Sequence, residues 1–106
     1  MINDRDALKE LSSVSNINKP HLIRHYLYIP GESTGKKVAD HLREQGFDVD
    51  DHVDPYDGVS WLVLAKLQMI PTEDAIAESR AFFEAIAAEY GGEYDGWEAV
   101  VQHDGS

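Results

Sequence analysis

The run from Val59 to Met69 constrains the fold more than any other stretch of the chain. Val, Trp, Leu and Ala occupy both of its alternating faces, with Lys66 and Gln68 as polar breaks. A segment apolar on both sides belongs in the middle of a sheet, flanked by other strands. His21 to Ile29 is a second strand of this kind, rich in β-branched and aromatic residues and stopped by Pro30-Gly31. Two further segments have the opposite character. Asp48 to Asp54 reads as a short, highly charged strand or loop, and Trp97 to Gln102 reads as a last strand. They carry Asp48, Asp50, Asp54, Glu98 and Gln102, the polar dress of edges that resist aggregation.

Helical periodicity fills the gaps. Ala7, Leu8, Leu11 and Val14 recur at helical spacing, with Asn3 or Asp4 as a cap. Ser33 or Thr34 can cap a second helix that runs to about Gln45 on Val38, Ala39 and Leu42, before Gly46. Thr72 can cap the longest helix, where Ile76, Phe83, Ile86, Ala87 and Tyr90 share one face and Gly91-Gly92 ends the run. Pro55-Tyr56-Asp57-Gly58 is a turn signal. The order α-β-α-β-β-α-β then predicts an α+β, ferredoxin-like βαββαβ sandwich. It has a four-stranded antiparallel sheet, the first and third strands central, two helices on one face and an added N-terminal helix. The expected division is 1–20 for the N-terminal helix and linker, 21–102 for the domain and 103–106 for a short tail.

At 106 residues the chain is long enough for one core. Cysteine is absent, which excludes disulfides, thiolate nucleophiles and cysteine-based zinc sites. The first twenty residues are too charged for a signal peptide, and no apolar run approaches a membrane span, so a cytoplasmic protein is expected. Charge is the informative quantity. Residues 1–46 hold seven basic and six acidic side chains, whereas 47–106 hold two basic and fourteen acidic ones, for a net charge of −11. Such a surface repels phosphate backbones and attracts cationic partners.

The motifs that hint at chemistry fail on spacing. Pro30-Gly-Glu-Ser-Thr-Gly-Lys37 lacks the glycine spacing and the hydroxyl of a phosphate-binding loop. Counted from Asp48, the sixth and twelfth positions of a calcium loop are Val53 and Val59, neither of which serves. His21 and His25 would stand about 13 Å apart on a strand, too far to share a metal, and the five histidines read as surface or half-buried. The third strand, Asp57-Gly-Val-Ser-Trp-Leu-Val-Leu64, lacks the cation and first aromatic of an RNA-recognition module. No catalytic residues, metal or cofactor are expected, and direct nucleic-acid or membrane binding is not.

Several strings together resemble one family. They are His25-Tyr-Leu-Tyr-Ile-Pro30, Gly46-Phe47, Trp61-Leu-Val-Leu64 and above all Gly91-Gly-Glu-Tyr-Asp-Gly-Trp-Glu98. The chain is similar over residues 21–102 to the RraB family, regulators that inhibit ribonuclease E. The resemblance implies a ferredoxin-like fold, no catalytic residues, and an acidic protein that binds ribonuclease E away from its nuclease chemistry. A generic protein-binding or immunity-type module is the alternative. The candidate partner-binding residues are Asp48, Asp50, Asp51, Asp54, Glu93, Asp95 and Glu98. Strand alternation adds a possible apolar patch of Tyr26, Tyr28, Leu62 and Leu64 on the face away from the helices. The N-terminal helix, through Leu8 and Leu11, is one candidate to cover it.

Overall fold

The ten-residue pairing of β1 (His21–Pro30) with β3 (Ser60–Met69) forms the centre of the molecule. It runs antiparallel without a break from His21↔Met69 to Pro30↔Ser60. The computed structural model describes residues 4–100. β2 (Asp48–Val53) pairs with the outer side of β3, and β4 (Glu93–Ala99) with the outer side of β1, both antiparallel. The sheet order is therefore β2-β3-β1-β4, with the two apolar strands inside and the two charged ones at the edges. Three helices complete the α+β fold: α1 (Asp4–Val14), α2 (Glu32–Glu44) and α3 (Glu73–Glu89).

One side of the sheet builds the core. Leu27 and Ile29 of β1, Val63 and Ala65 of β3 and Val49 of β2 pack against Val38, Ala39 and Leu42 of α2 and Phe83, Ile86 and Ala87 of α3. Thr72 caps α3 as the sequence suggests, its hydroxyl accepting the Ala75 amide at 3.1 Å. α2 differs: it begins at Glu32, earlier than the Ser33/Thr34 cap implies, with Gly31 at φ 87° as the capping residue and no side-chain cap. Gly35 is buried in the first turns of α2, and a Cβ there would lie 2.3–2.4 Å from the Trp61 side chain. The glycines of the Pro30–Lys37 segment thus serve a helix start and a close approach.

β4 begins at Glu93, four residues before the expected Trp97, because Gly91 at φ 69° turns the chain directly out of α3. Gly92 then passes against β1, where a Cβ would meet the Tyr28 carbonyl oxygen at 2.4 Å. Gln102, Asn3 and the 103–106 tail lie outside the described residues, as does the Val14 side chain.

The β1 histidines are buried rather than superficial, each 1% exposed. His21 lies between two partners: Nδ1 donates to the Lys19 carbonyl at 2.7 Å, and Nε2 accepts from the Ser15 hydroxyl at 2.7 Å. His25 stacks on Phe83 with ring centroids 4.2 Å apart, and its Nδ1 lies 2.9 Å from the Tyr94 hydroxyl. Burial pushes the His25 pKa down from 6.5 to about 4 and raises that of the Tyr94 phenol. The folded protein therefore holds His25 neutral.

Two outcomes follow from this packing. The unfolded chain takes up a proton on His25 below about pH 6.5, and the folded chain only near pH 4, so stability falls as pH drops through that window. The loss from this group is about 3 kcal/mol when complete. Denaturant midpoints measured between pH 7 and pH 4 should fall less steeply for His25→Gln than for the parent; an unchanged slope contradicts the buried neutral ring. Gly35→Ala should lower stability by about 1–3 kcal/mol despite alanine's better helix propensity, because Trp61 must move. A rise in melting temperature would contradict that contact.

Candidate functional site

Alternation along β1 divides its side chains cleanly. His21, Ile23, His25, Leu27 and Ile29 are buried toward the helices, while Leu22, Arg24, Tyr26 and Tyr28 are half-buried on the other side. Register assembles the second set into a continuous surface. Tyr26 lies across from Leu64 on β3 and Gly96 on β4, and Tyr28 across from Leu62 and Glu93. Tyr26, Tyr28, Leu62 and Leu64 thus form one apolar strip in the middle of the sheet. α1 does not cover it. Leu8 packs with Ile23 and Ile76 on the helical side, together with Met69, Trp97 and Ala99. Polar contacts hold α1 there: Asp4 accepts from Trp97 Nε1 at 3.0 Å and pairs with Arg80 at 2.6 Å, and Arg5 pairs with Glu73 at 3.0 Å. Among the described residues, no helix lies over the strip.

The structure sorts the seven candidate carboxylates into three groups. Asp51 and Asp54 serve the fold. Asp51 points to the helical side, where it accepts from Trp61 Nε1 at 2.8 Å and from Arg43 at 2.8 Å. Burial opposes its charge, but these donors outweigh it and hold its pKa below the ordinary value. Asp54 is 6% exposed and accepts the Tyr56 amide at 3.0 Å. A second group lies at one end of the open face and is already paired. Lys66 lies 2.8 Å from Asp50 and 3.5 Å from Asp48. Glu98 accepts from the Tyr26 hydroxyl at 2.7 Å and pairs with Arg24. Arg24 and Lys66 are direct cross-strand neighbours, so a row of charges crosses the whole sheet. The third group is Glu93 and Asp95, both exposed and without an ion pair among the described residues. A bulge separates Tyr26↔Gly96 from Leu27↔Tyr94, which leaves Asp95 out of register. Gly96 at φ 112° provides the irregular backbone.

The hairpin between β2 and β3 lies at the same end of the sheet as this third group, with β1 and its Tyr28 between them. Its backbone closes through Gly58 N–H to the Asp54 carbonyl at 2.9 Å and Asp54 N–H to the Ser60 carbonyl at 2.8 Å. Asp57 accepts the Val59 and Ser60 amides at 2.8 Å each and the Ser60 hydroxyl at 2.6 Å. These donors hold the Asp57 carboxyl below its ordinary pKa, the Ser60 hydroxyl foremost. On this braced turn Tyr56 is 93% exposed and Val59 74% exposed. Burial raises the pKa of the nearby Tyr28 phenol, and the negative charges of Asp95, Asp54 and Asp57 add to the rise. Sequence reasoning saw a turn at Pro55–Gly58 but missed Tyr56 and Val59 as presented side chains; an aromatic inside a turn signal was the available clue. It also missed Arg24 and Lys66, whose cross-strand pairing depends on register.

Chemically, the surface offers apolar area, two phenol rims and acceptor charge. Among the described residues, no group of three His, Asp or Glu is placed to hold a metal ion, and no helix is long and apolar enough to cross a membrane. The sorting of carboxylates is testable by stability alone. Asp51→Ala should cost about 1–3 kcal/mol, since it strands Trp61 and Arg43 donors, whereas Asp95→Ala should stay within about 0.5 kcal/mol of the parent. Equal effects in denaturant titrations would contradict the division.

Comparison with known proteins bears on what such a face is for. A family profile, RraB, regulator of ribonuclease activity B, matches residues 1–99. No curated protein matches the chain. The profile spans α1, the whole sheet and both core helices, so the match covers the open face and the helical side alike. On that match the chain belongs to the RraB family, the regulators of ribonuclease activity B.

Proposed function

We propose that this protein is a non-catalytic regulator that binds ribonuclease E, or a similar basic protein segment, and so modulates RNA degradation in the cytoplasm. The observation that carries the reading is an apolar strip, over which no helix lies among the described residues, bordered by carboxylates on both edge strands. Uncovered apolar area on a sheet marks a contact surface. The surrounding negative charge favours a cationic protein over an RNA phosphate backbone. The strand order β2-β3-β1-β4, with both core helices on one side, supports the ferredoxin-like reading of the 21–102 segment. That arrangement leaves the opposite side of the sheet for a partner. Regulation then works by occupancy: the protein holds a segment of the nuclease and alters which transcripts reach the cleavage site.

Purified ribonuclease E and the full chain provide the test. Binding measured by calorimetry should be detectable at low ionic strength and weaken as the Debye length shrinks from about 10 Å at 0.1 M salt to about 3 Å at 1 M. Added protein should also slow cleavage of a ribonuclease E substrate RNA without binding that RNA. Absence of complex formation at low salt overturns the reading, and capture of an unrelated protein in its place supports the generic-module alternative.

A further inference from the structure

We propose that the open sheet face receives an arginine-bearing, otherwise apolar segment in one direction. The guanidinium lies at the Glu93–Asp95 end beside Tyr28 and Tyr56, and the apolar side chains lie on Tyr26, Leu62 and Leu64. This inference rests on the protein-binding reading above and adds where the partner sits and what it must carry.

The two ends of the face differ in what they have left to offer. At one end Asp48 and Asp50 share Lys66, and Glu98 is held by Arg24 and Tyr26. A cation arriving there must displace an existing partner. At the other end Glu93, directly across from Tyr28, and Asp95, left out of register by the bulge, are exposed and have no ion pair among the described residues. A guanidinium arriving there gains its full attraction. The phenols then favour arginine over lysine, because a planar, weakly hydrated guanidinium stacks on aromatic rings and spans two acceptors, whereas an ammonium acts as a point charge.

The hairpin makes this end ready in advance. Six hydrogen bonds on Asp54, Asp57 and their neighbours fix the turn before any partner arrives. The Tyr56 backbone therefore loses little freedom on binding, which lowers the ordering cost of using this exposed aromatic as a contact. Charge also decides against a second copy of the chain as occupant. The face carries Asp48, Asp50, Glu93, Asp95 and Glu98 against Arg24 and Lys66, so two such faces repel. The same surplus disfavours RNA on Tyr26 and Tyr28.

Isotope-labelled full-length protein titrated with a short synthetic peptide of alternating leucine and arginine tests the proposal, read by amide chemical shifts. Shifts should concentrate at Tyr26, Tyr28, Leu62, Leu64 and Asp95. The lysine version of the peptide should bind several-fold more weakly and the glutamate version not at all. Tyr56→Ser, at a side chain that is almost wholly exposed, should weaken the arginine peptide about tenfold, as should the Glu93→Gln/Asp95→Asn pair. Asp50→Asn should change the affinity less than about twofold, because the charge it removes is already paired. Shifts confined to α1 and Trp97, equal effects of the two acidic ends, concentration-dependent dimerisation, or binding of single-stranded RNA by the same residues each overturn the proposal. Ribonuclease E run against the same variants separates the two readings. Parent-like binding by Tyr56→Ser and by the Glu93/Asp95 pair removes this inference and leaves the regulator reading intact. A peptide response without any ribonuclease E binding removes the regulator reading and leaves the chemistry of the face intact.

Discussion

The antiparallel pairing of β1 with β3 is the constraint from which the rest follows. Ten consecutive residue pairs fix which side of each strand faces the helices. A slip of one residue would turn Ile23, Leu27 and Ile29 outward and bring Arg24, Tyr26 and Tyr28 into the core. That register is enforced by burial on one side alone, since Leu27, Ile29, Val63 and Ala65 are wholly enclosed. Burying such side chains is worth roughly 1.5–3 kcal/mol for each large one, more than a hydrogen-bonded surface pair contributes. The open face is thus positioned by the core behind it and is free to carry chemistry the core does not need.

Carboxylates in this molecule perform two different tasks. Asp4 fixes α1 to α3 and β4 through Arg80 and Trp97. Asp51 ties the end of β2 to α2 and Trp61, and Asp54 with Asp57 builds the hairpin. These acids have their donors inside the fold, and their charge is largely spent locally. Glu93 and Asp95 have no such partner among the described residues, and both are exposed to solvent. Net charge alone therefore overstates how much of the acidic half is available to a partner, and position in the sheet decides it.

The central strands, the edge strands, the Thr72 cap and the side of β1 on which Tyr26 and Tyr28 lie were legible in the sequence. Each rests on period-two alternation or local capping chemistry, which a single chain displays directly. The start of α2 at a positive-φ Gly31 was masked by the hydroxyls of Ser33 and Thr34, and the closeness of Gly35 to Trp61 was hidden because the two are distant in sequence. The burial of His21 and His25 was equally hidden. Histidine is ambiguous by composition, and only the helical cover supplies the Phe83 stack and the Tyr94 hydroxyl. The acidic candidates were visible as a group but could not be sorted, since pairing with Arg24, Arg43 or Lys66 depends on register and on helix placement. Tyr56 was read as part of a turn, and its exposure follows from how that turn is braced.

That bracing has a consequence for the life of the protein in a proteolytic environment. A tyrosine displayed at a loop tip is ordinarily an invitation to enzymes that cut after aromatic residues. Such enzymes require their substrate to straighten into an extended register across their own clefts. Here the backbone amides that would have to be released are claimed by aspartate oxygens of the same loop. Straightening the loop around this bulky side chain would first have to break those bonds.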